Sequence, residues 1–189
     1  MVRIGIIGAA GLSGLELLHL LSRHSEATVK LVTSTKYQGK NVSEVFPELY
    51  HNSLTFNSNE TDVLGCDVVF LAVPNQASLE LVPKLLDQGI RVIDLSGAYR
   101  LADTGVFTKF YKLTHTYPEL LKEAVFGLPE FFMQQISGAR LVANPGCYST
   151  CALLGILPLA ELLDELDQSP VIEDRKSTRL NSSHSETSY

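Results

Sequence analysis

The sequence is short of three things. Cysteines number three, Cys66, Cys147 and Cys151, in 189 residues. So small and odd a set argues against a disulfide framework and suits a reducing cytoplasm. Positive charge is not in excess: the formal net charge is −6, whereas a nucleic-acid partner calls for clustered Lys and Arg. No apolar run reaches the roughly eighteen residues that cross a bilayer, so no membrane partner is expected. The opening "MVRIGIIGAAG" starts like a signal peptide, but glycines interrupt it early and no small-residue cleavage site follows. It reads instead as a first strand. What the chain does have is 45% hydrophobic residues, enough for a packed core.

The apolar residues are arranged in alternating periods. "VRIGIIG" is rich in β-formers, and "LSGLELLHLLSRH" places Leu15, Leu18 and Leu21 at helical spacing. "ATVKLVTS" alternates as a second strand, and residues 36–62 read as loop with short helix. "DVVFLAVP" is a near-continuous apolar run, as in a strand covered on both faces. "ASLELVPKLLDQG" predicts a helix closed by Gly89, with Pro83 delaying its start or bending it. "IRVIDLSG" and "ARLVANPG" are two more strands. Alternating strand and helix predict an α/β fold with a doubly wound parallel sheet. Ligands of such sheets bind beyond the carboxyl ends of the strands, so Gly8, Pro74, Ser96 and Asn144 are expected around one crevice.

"GAAGLSG" sets Gly8, Gly11 and Gly14 between the first strand and the first helix. Glycine lets backbone turn tightly and approach a pyrophosphate, and the helix start at Leu12 and Ser13 offers unpaired N–H groups to the anion. The alternative is a tight turn with no ligand. NAD enzymes tend to carry an acid at the end of the second strand, for the ribose hydroxyls. Here that end reads "TSTK", Thr33 to Lys36, with no acid. Ser34 and Lys36 suit the extra phosphate of NADP; otherwise Lys36 is a solvated loop residue.

"LVANPGCYST" ends a strand at Asn144, turns at Pro145-Gly146, and brings in Cys147 at the start of an apolar helix that Pro158 bends or ends. A thiolate is the nucleophilic form, and a helix N-terminus stabilises negative charge. Cys147 therefore reads as a nucleophile facing the strand-end crevice, or else as a small buried apolar residue. Cys151 lies one turn later. Two cysteines without further Cys or His make a poor zinc site, so no metal is expected and Cys151 is assigned to the core. Cys66 is assigned a structural role.

"GAAGLSGLELLHLLSRH", "CDVVFLAVP", "VIDLSGAYRL", "YPELL", "VFGLPE" and "LVANPGCYST" together resemble the N-acetyl-γ-glutamyl-phosphate reductase family of arginine biosynthesis, from residue 3 to about residue 172. The resemblance implies a Rossmann-type NADP-binding domain followed by an α/β catalytic domain, with Cys147 as nucleophile and NADPH as reductant of an acyl phosphate. It implies a homo-oligomer at full length. It also implies that Ser96 and Gly97, in "LSGAYR", and Pro74 lie near the nicotinamide. Arg100 either holds a substrate carboxylate or phosphate, or forms a structural ion pair. Asn144 either orients the cysteine turn or caps the helix. His115, in "THTYPEL", is either a base or an ordinary loop histidine, and Glu130, in "GLPE", is undecided. Ser149 departs from the family, which commonly has proline after Cys-Tyr.

The domains expected are residues 1–144 for the dinucleotide, 145–172 for the start of a truncated catalytic domain, and 173–189 as a disordered, non-native tail. The last of these follows from "DRKSTRLNSSH", which resembles a translated sequencing adapter. Such a chain is expected to be inactive and to bind NADP weakly or not at all. The competing readings are a semialdehyde dehydrogenase for aspartate or carrier-bound aminoadipate, and a non-catalytic dinucleotide-binding fragment.

Overall fold

The computed structural model describes residues 1–49, 53–63 and 65–160. The expected tail, residues 173–189, lies outside them. The chain divides into a unit Met1–Gly146 and a second that begins at Cys147, so Pro145 and Gly146 belong with the first.

The first unit alternates strand and helix from its start: β1 (Val2–Ile7), α1 (Leu12–Ser22), β2 (Ala27–Thr33), α2 (Val42–Val45), β3 (Phe56–Asn57), β4 (Val68–Leu71), α3 (Asn75–Asp87) and β5 (Arg91–Asp94). It continues through α4 (Thr104–Tyr111), α5 (Pro118–Glu123), β6 (Val125–Phe126), α6 (Pro129–Gly138) and β7 (Leu141–Ala143). The strands form one seven-stranded sheet in the order β3-β2-β1-β4-β5-β7-β6. Every pairing is parallel, so all the carboxyl ends share one edge. The chain proceeds outward from β1 to β3, then returns to β4 on the other side of β1. The strand order therefore reverses between β1 and β4, the position at which doubly wound sheets bind ligands.

Alternation along β1 divides the core in two. Ile4 and Ile6 pack with Leu18, Val32, Val42 and Phe56 on one face. Ile7 packs with Leu71, Leu79, Val82, Val92 and Phe107 on the other. Successive strand side chains point to opposite faces, which is why adjacent isoleucines serve different layers.

Two expectations are corrected here. Pro83 neither delays nor interrupts its helix: α3 runs from Asn75 to Asp87 with Pro83 inside it. Proline removes one helical hydrogen bond, but Leu79, Val82, Leu85 and Leu86 are all buried on this helix, and their packing outweighs it. Residues 36–62, read as loop with short helix, also contain β3, which the two-residue length of an edge strand hides from any periodicity. Gly89 does adopt the left-handed conformation, with φ of 76°, just beyond α3.

Candidate active site

The loop after β1 is built around its glycines. Gly8 has φ of 82°, and a Cβ there would lie 2.3 Å from the Ala72 carbonyl oxygen at the end of β4. A Cβ on Gly14 would lie 2.4 Å from the Ala9 carbonyl oxygen, so α1 meets the loop at a separation only glycine permits. A Cβ on Gly11 would meet nothing nearer than the Gly8 carbonyl oxygen at 3.8 Å. The helical ladder begins when Leu15 N–H donates to Gly11 O. The N–H groups of Leu12, Ser13 and Gly14 precede it, and the first turn of α1 carries no acid. Backbone donors and the positive end of the helix dipole thus meet at the reversal point of the sheet, an arrangement suited to a pyrophosphate.

The loop is tied to the end of β2. Gly8 N–H donates to Thr33 Oγ1 at 3.1 Å and Ala9 N–H to Thr33 O at 2.9 Å. Ser34 is buried, and its Oγ accepts from Tyr37 N–H. Lys36 is exposed, with its ammonium 5.2 Å from the centre of the Tyr37 ring. Asn59, which no sequence motif marks, bonds Thr33 at 2.5 Å and Thr35 at 3.0 Å.

The ends of β4 and β5 are joined by side chains to backbone. Pro74 is exposed and precedes α3. Asn75 Oδ1 accepts from Gly97 N–H at 2.7 Å. Asp94 is fully buried and accepts from both the N–H and the hydroxyl of Ser96. Burial pushes the Asp94 carboxyl up; the hydrogen bonds from Ser96 and the charge of Arg100 act the other way. Ser96 Oγ accepts from Ala98 N–H in turn. A Cβ on Gly97 would lie 2.4 Å from the Tyr111 ring. Asn75 was missed by sequence reading because its partner, the Gly97 N–H, is 22 residues away and only the sheet brings it near; Asp94 was missed because its bonds to Ser96, two residues on, follow no sequence motif.

Arg100 forms no ion pair among the described residues. Its Nε donates to Asn144 O and its Nη2 to Leu95 O, both at 2.7 Å, so the guanidinium fastens the end of β7 to that of β5. Asn144 donates from Nδ2 to Pro145 O at 3.2 Å, a bond within the turn itself. Glu130 is exposed in the first turn of α6.

His115 is buried rather than solvated. Its Nδ1 accepts from Tyr117 N–H, so Nε2 carries the proton and donates to Ala98 O at 3.1 Å. The rings of Tyr99 and Phe107 pack edge-on against it. Burial pushes its pKa below the ordinary 6.5, against the opposing pull of the Ala98 carbonyl and Glu119. A proton on Nδ1 would set two donors face to face. The unfolded chain therefore takes up this proton first, and the stabilisation is full above the ordinary value and lost as pH falls below it. The urea midpoint of the protein is expected to drop between about pH 7 and about pH 5, and to drop less in a His115→Gln variant. Equal drops in the two proteins would assign the effect elsewhere.

In the second unit, α7 (Cys147–Ile156) opens on Cys147, which is exposed, and its first turn has no acid. Cys151 is also exposed, which corrects its assignment to the core: α7 is apolar along much of its length yet buries none of its residues. Cys66 is buried, as a structural cysteine should be. A cavity of about 700 Å³ lies at the opposite end of the strands, lined by Leu18, Arg23, Ala27 and Leu49, and involves none of these residues.

A parallel sheet whose order reverses beside a glycine loop and a bare helix N-terminus defines a protein of the Rossmann-type, dinucleotide-binding class. The chain belongs to the semialdehyde dehydrogenase family: residues 3–139 match the model of its NAD binding domain. Among curated relatives, the N-acetyl-gamma-glutamyl-phosphate reductase of Nitrosospira multiformis is 45% identical over 94% of this chain and 52% of its own length. That of Leptospira borgpetersenii is 48% identical over the same shares. The chain spans about half the length of the curated relatives it matches. In fold it is similar to aspartate semialdehyde dehydrogenase II of Vibrio cholerae, with a TM-score of 0.61 and 21% identity, over 85% of this chain and 47% of that one. The aspartate semialdehyde dehydrogenase of Candida albicans, solved with NADP, has a TM-score of 0.59 and 21% identity, over 86% of this chain and 48% of that one.

Proposed function

We propose that this chain carries the dinucleotide-binding part and the nucleophile of an NADPH-dependent reductase that converts N-acetyl-γ-glutamyl phosphate to the semialdehyde. The observation that carries the reading is the 45–48% identity to such reductases across 94% of the chain. The glycine loop and the N–H groups of Leu12, Ser13 and Gly14 hold the pyrophosphate. Ser34 and Lys36 take the 2′-phosphate, and Pro74, Ser96 and Gly97 flank the nicotinamide.

Cys147, as thiolate, attacks the acyl phosphate carbon; phosphate leaves and a thioester forms on its sulfur. When bound, NADPH supplies the hydride for reduction. Collapse of the resulting hemithioacetal releases aldehyde and regenerates the thiolate. Arg100 and Asn144 hold the cysteine turn in shape, and Arg100 is the candidate for any anionic substrate group. The setting proposed is a reducing cytoplasm, in keeping with three free cysteines, and the assembly proposed is a homo-oligomer.

The test is a chimera in which residues 1–160 replace the matching half of the Nitrosospira multiformis relative. It is expected to oxidise N-acetylglutamate semialdehyde with NADP and phosphate, and to leave aspartate semialdehyde and carrier-bound aminoadipate semialdehyde untouched. Turnover of either of the latter in its place would overturn the substrate assignment.

A further inference from the structure

At the end of β2 a chain of hydrogen bonds has its direction fixed at one end. Gly8 N–H can only donate, and Thr33 Oγ1 accepts from it. Thr33 is sealed from water, so its own hydroxyl hydrogen must end on a protein acceptor. Asn59 Oδ1, at 2.5 Å, is that acceptor. With the amide oxygen so engaged, the amide nitrogen faces the other way, and it donates to Thr35 Oγ1 at 3.0 Å. A lone pair of the exposed Thr35 hydroxyl is thus occupied, and its hydrogen is left to be given. Ser34 repeats the pattern: its Oγ accepts from Tyr37 N–H at 3.2 Å, leaving its hydrogen to be given. Beside them stands the exposed, cationic Lys36.

A phosphate dianion offers only acceptors, and it is matched by a surface offering only donors. A ribose hydroxyl makes no such demand, since it both donates and accepts. We propose that Asn59 is a positioning residue that sets the preference for a 2′-phosphorylated dinucleotide by holding the Thr35 hydroxyl as a donor. The proposal rests on the cofactor reading above and extends it to a residue that would not itself touch the cofactor.

Asn59→Asp keeps an acceptor for Thr33 but turns the Thr35 hydroxyl round, because a carboxylate can only accept. The experiment measures NADPH and NADH dissociation constants by calorimetry on the chimera described above, which serves as the wild type of this comparison, with melting temperatures alongside. The wild type is expected to prefer NADPH. Asn59→Asp is expected to weaken NADPH by about 10- to 100-fold, the range for hydrogen bonds to a charged group, and to change NADH by less than about threefold. Thr35→Val separates polarity from plain charge repulsion. In that background Asn59→Asp is expected to cost NADPH much less, since no hydroxyl remains to be turned. The same NADPH loss with or without the Thr35 hydroxyl would assign the effect to charge and overturn the proposal. Equal losses for both dinucleotides, or an unchanged preference, would overturn it too. A wild type that prefers NADH, or binds neither, overturns the cofactor reading itself and the proposal with it.

Discussion

Replacing Cys147 by serine is expected to lower turnover in the chimera by at least about 10⁴-fold, which corresponds to about 5 kcal/mol of lost transition-state stabilisation. The two residues differ by one atom, but a serine hydroxyl with no adjacent base is hardly ionised at neutral pH, whereas a cysteine is nucleophilic as a fraction of thiolate. The second step suffers as well: an oxygen ester is less ready than a thioester to accept a hydride, so an acylated serine would stall. NADPH affinity is expected to stay within about twofold, because serine keeps the size of the side chain and the residues proposed to hold the dinucleotide all lie within the unit Met1–Gly146. Cys151→Ser is the control. Cys151 is also exposed and one turn further along the same helix, and its replacement is expected to leave kcat nearly unchanged. Steady-state kinetics of both variants decide the matter. Retention of kcat within about tenfold in Cys147→Ser would reject the nucleophile, as would an equal loss in Cys151→Ser.

Gly8→Val is expected to destabilise the protein by about 2–5 kcal/mol, summing the cost of a left-handed residue and that of overpacking. Both contributions have a visible origin. The backbone at Gly8 has φ of 82°, and the added Cβ would lie 2.3 Å from the Ala72 carbonyl oxygen. That oxygen is backbone at the end of β4, not the movable tip of a side chain, so relief requires β1 and β4 to separate. The loss is a large share of a typical stability of about 5–15 kcal/mol. It is also expected to abolish dinucleotide binding, since Gly8 N–H anchors the loop to Thr33. Gly11→Ala makes the contrast. Its Cβ meets nothing nearer than 3.8 Å, so stability is expected to change by less than about 1 kcal/mol. Urea unfolding of the two variants beside the wild type would test the pair, and a Gly8→Val protein as stable as the wild type would show that β1 and β4 are less tightly apposed than described.

Much of this molecule is legible from pattern. "VRIGIIG" and "DVVFLAVP" could be placed as strands because buried parallel strands read as apolar runs. The loop "GAAGLSG" could be assigned because three glycines between a strand and a helix have a steric purpose. Errors arose where tertiary packing overrides a local rule. Pro83 breaks helices in isolation, but here the buried residues around it hold the helix straight through. Cys151 has the polarity of a core residue, but its helix buries nothing.

Local properties, the periodicity of apolar residues and the placing of Gly and Pro, were enough to determine most of the alternation of strand and helix, the parallel sheet, the glycine loop and the turn ahead of Cys147. Only the tertiary structure could decide which distant groups meet. Asn59 reaches Thr33 and Thr35, Asn75 reaches Gly97, and Arg100 reaches Asn144, over separations of 26, 24, 22 and 44 residues. Side-chain hydrogen bonds have no period along the chain. Their partners are set by strand order and register, which come from burying the whole sheet at once.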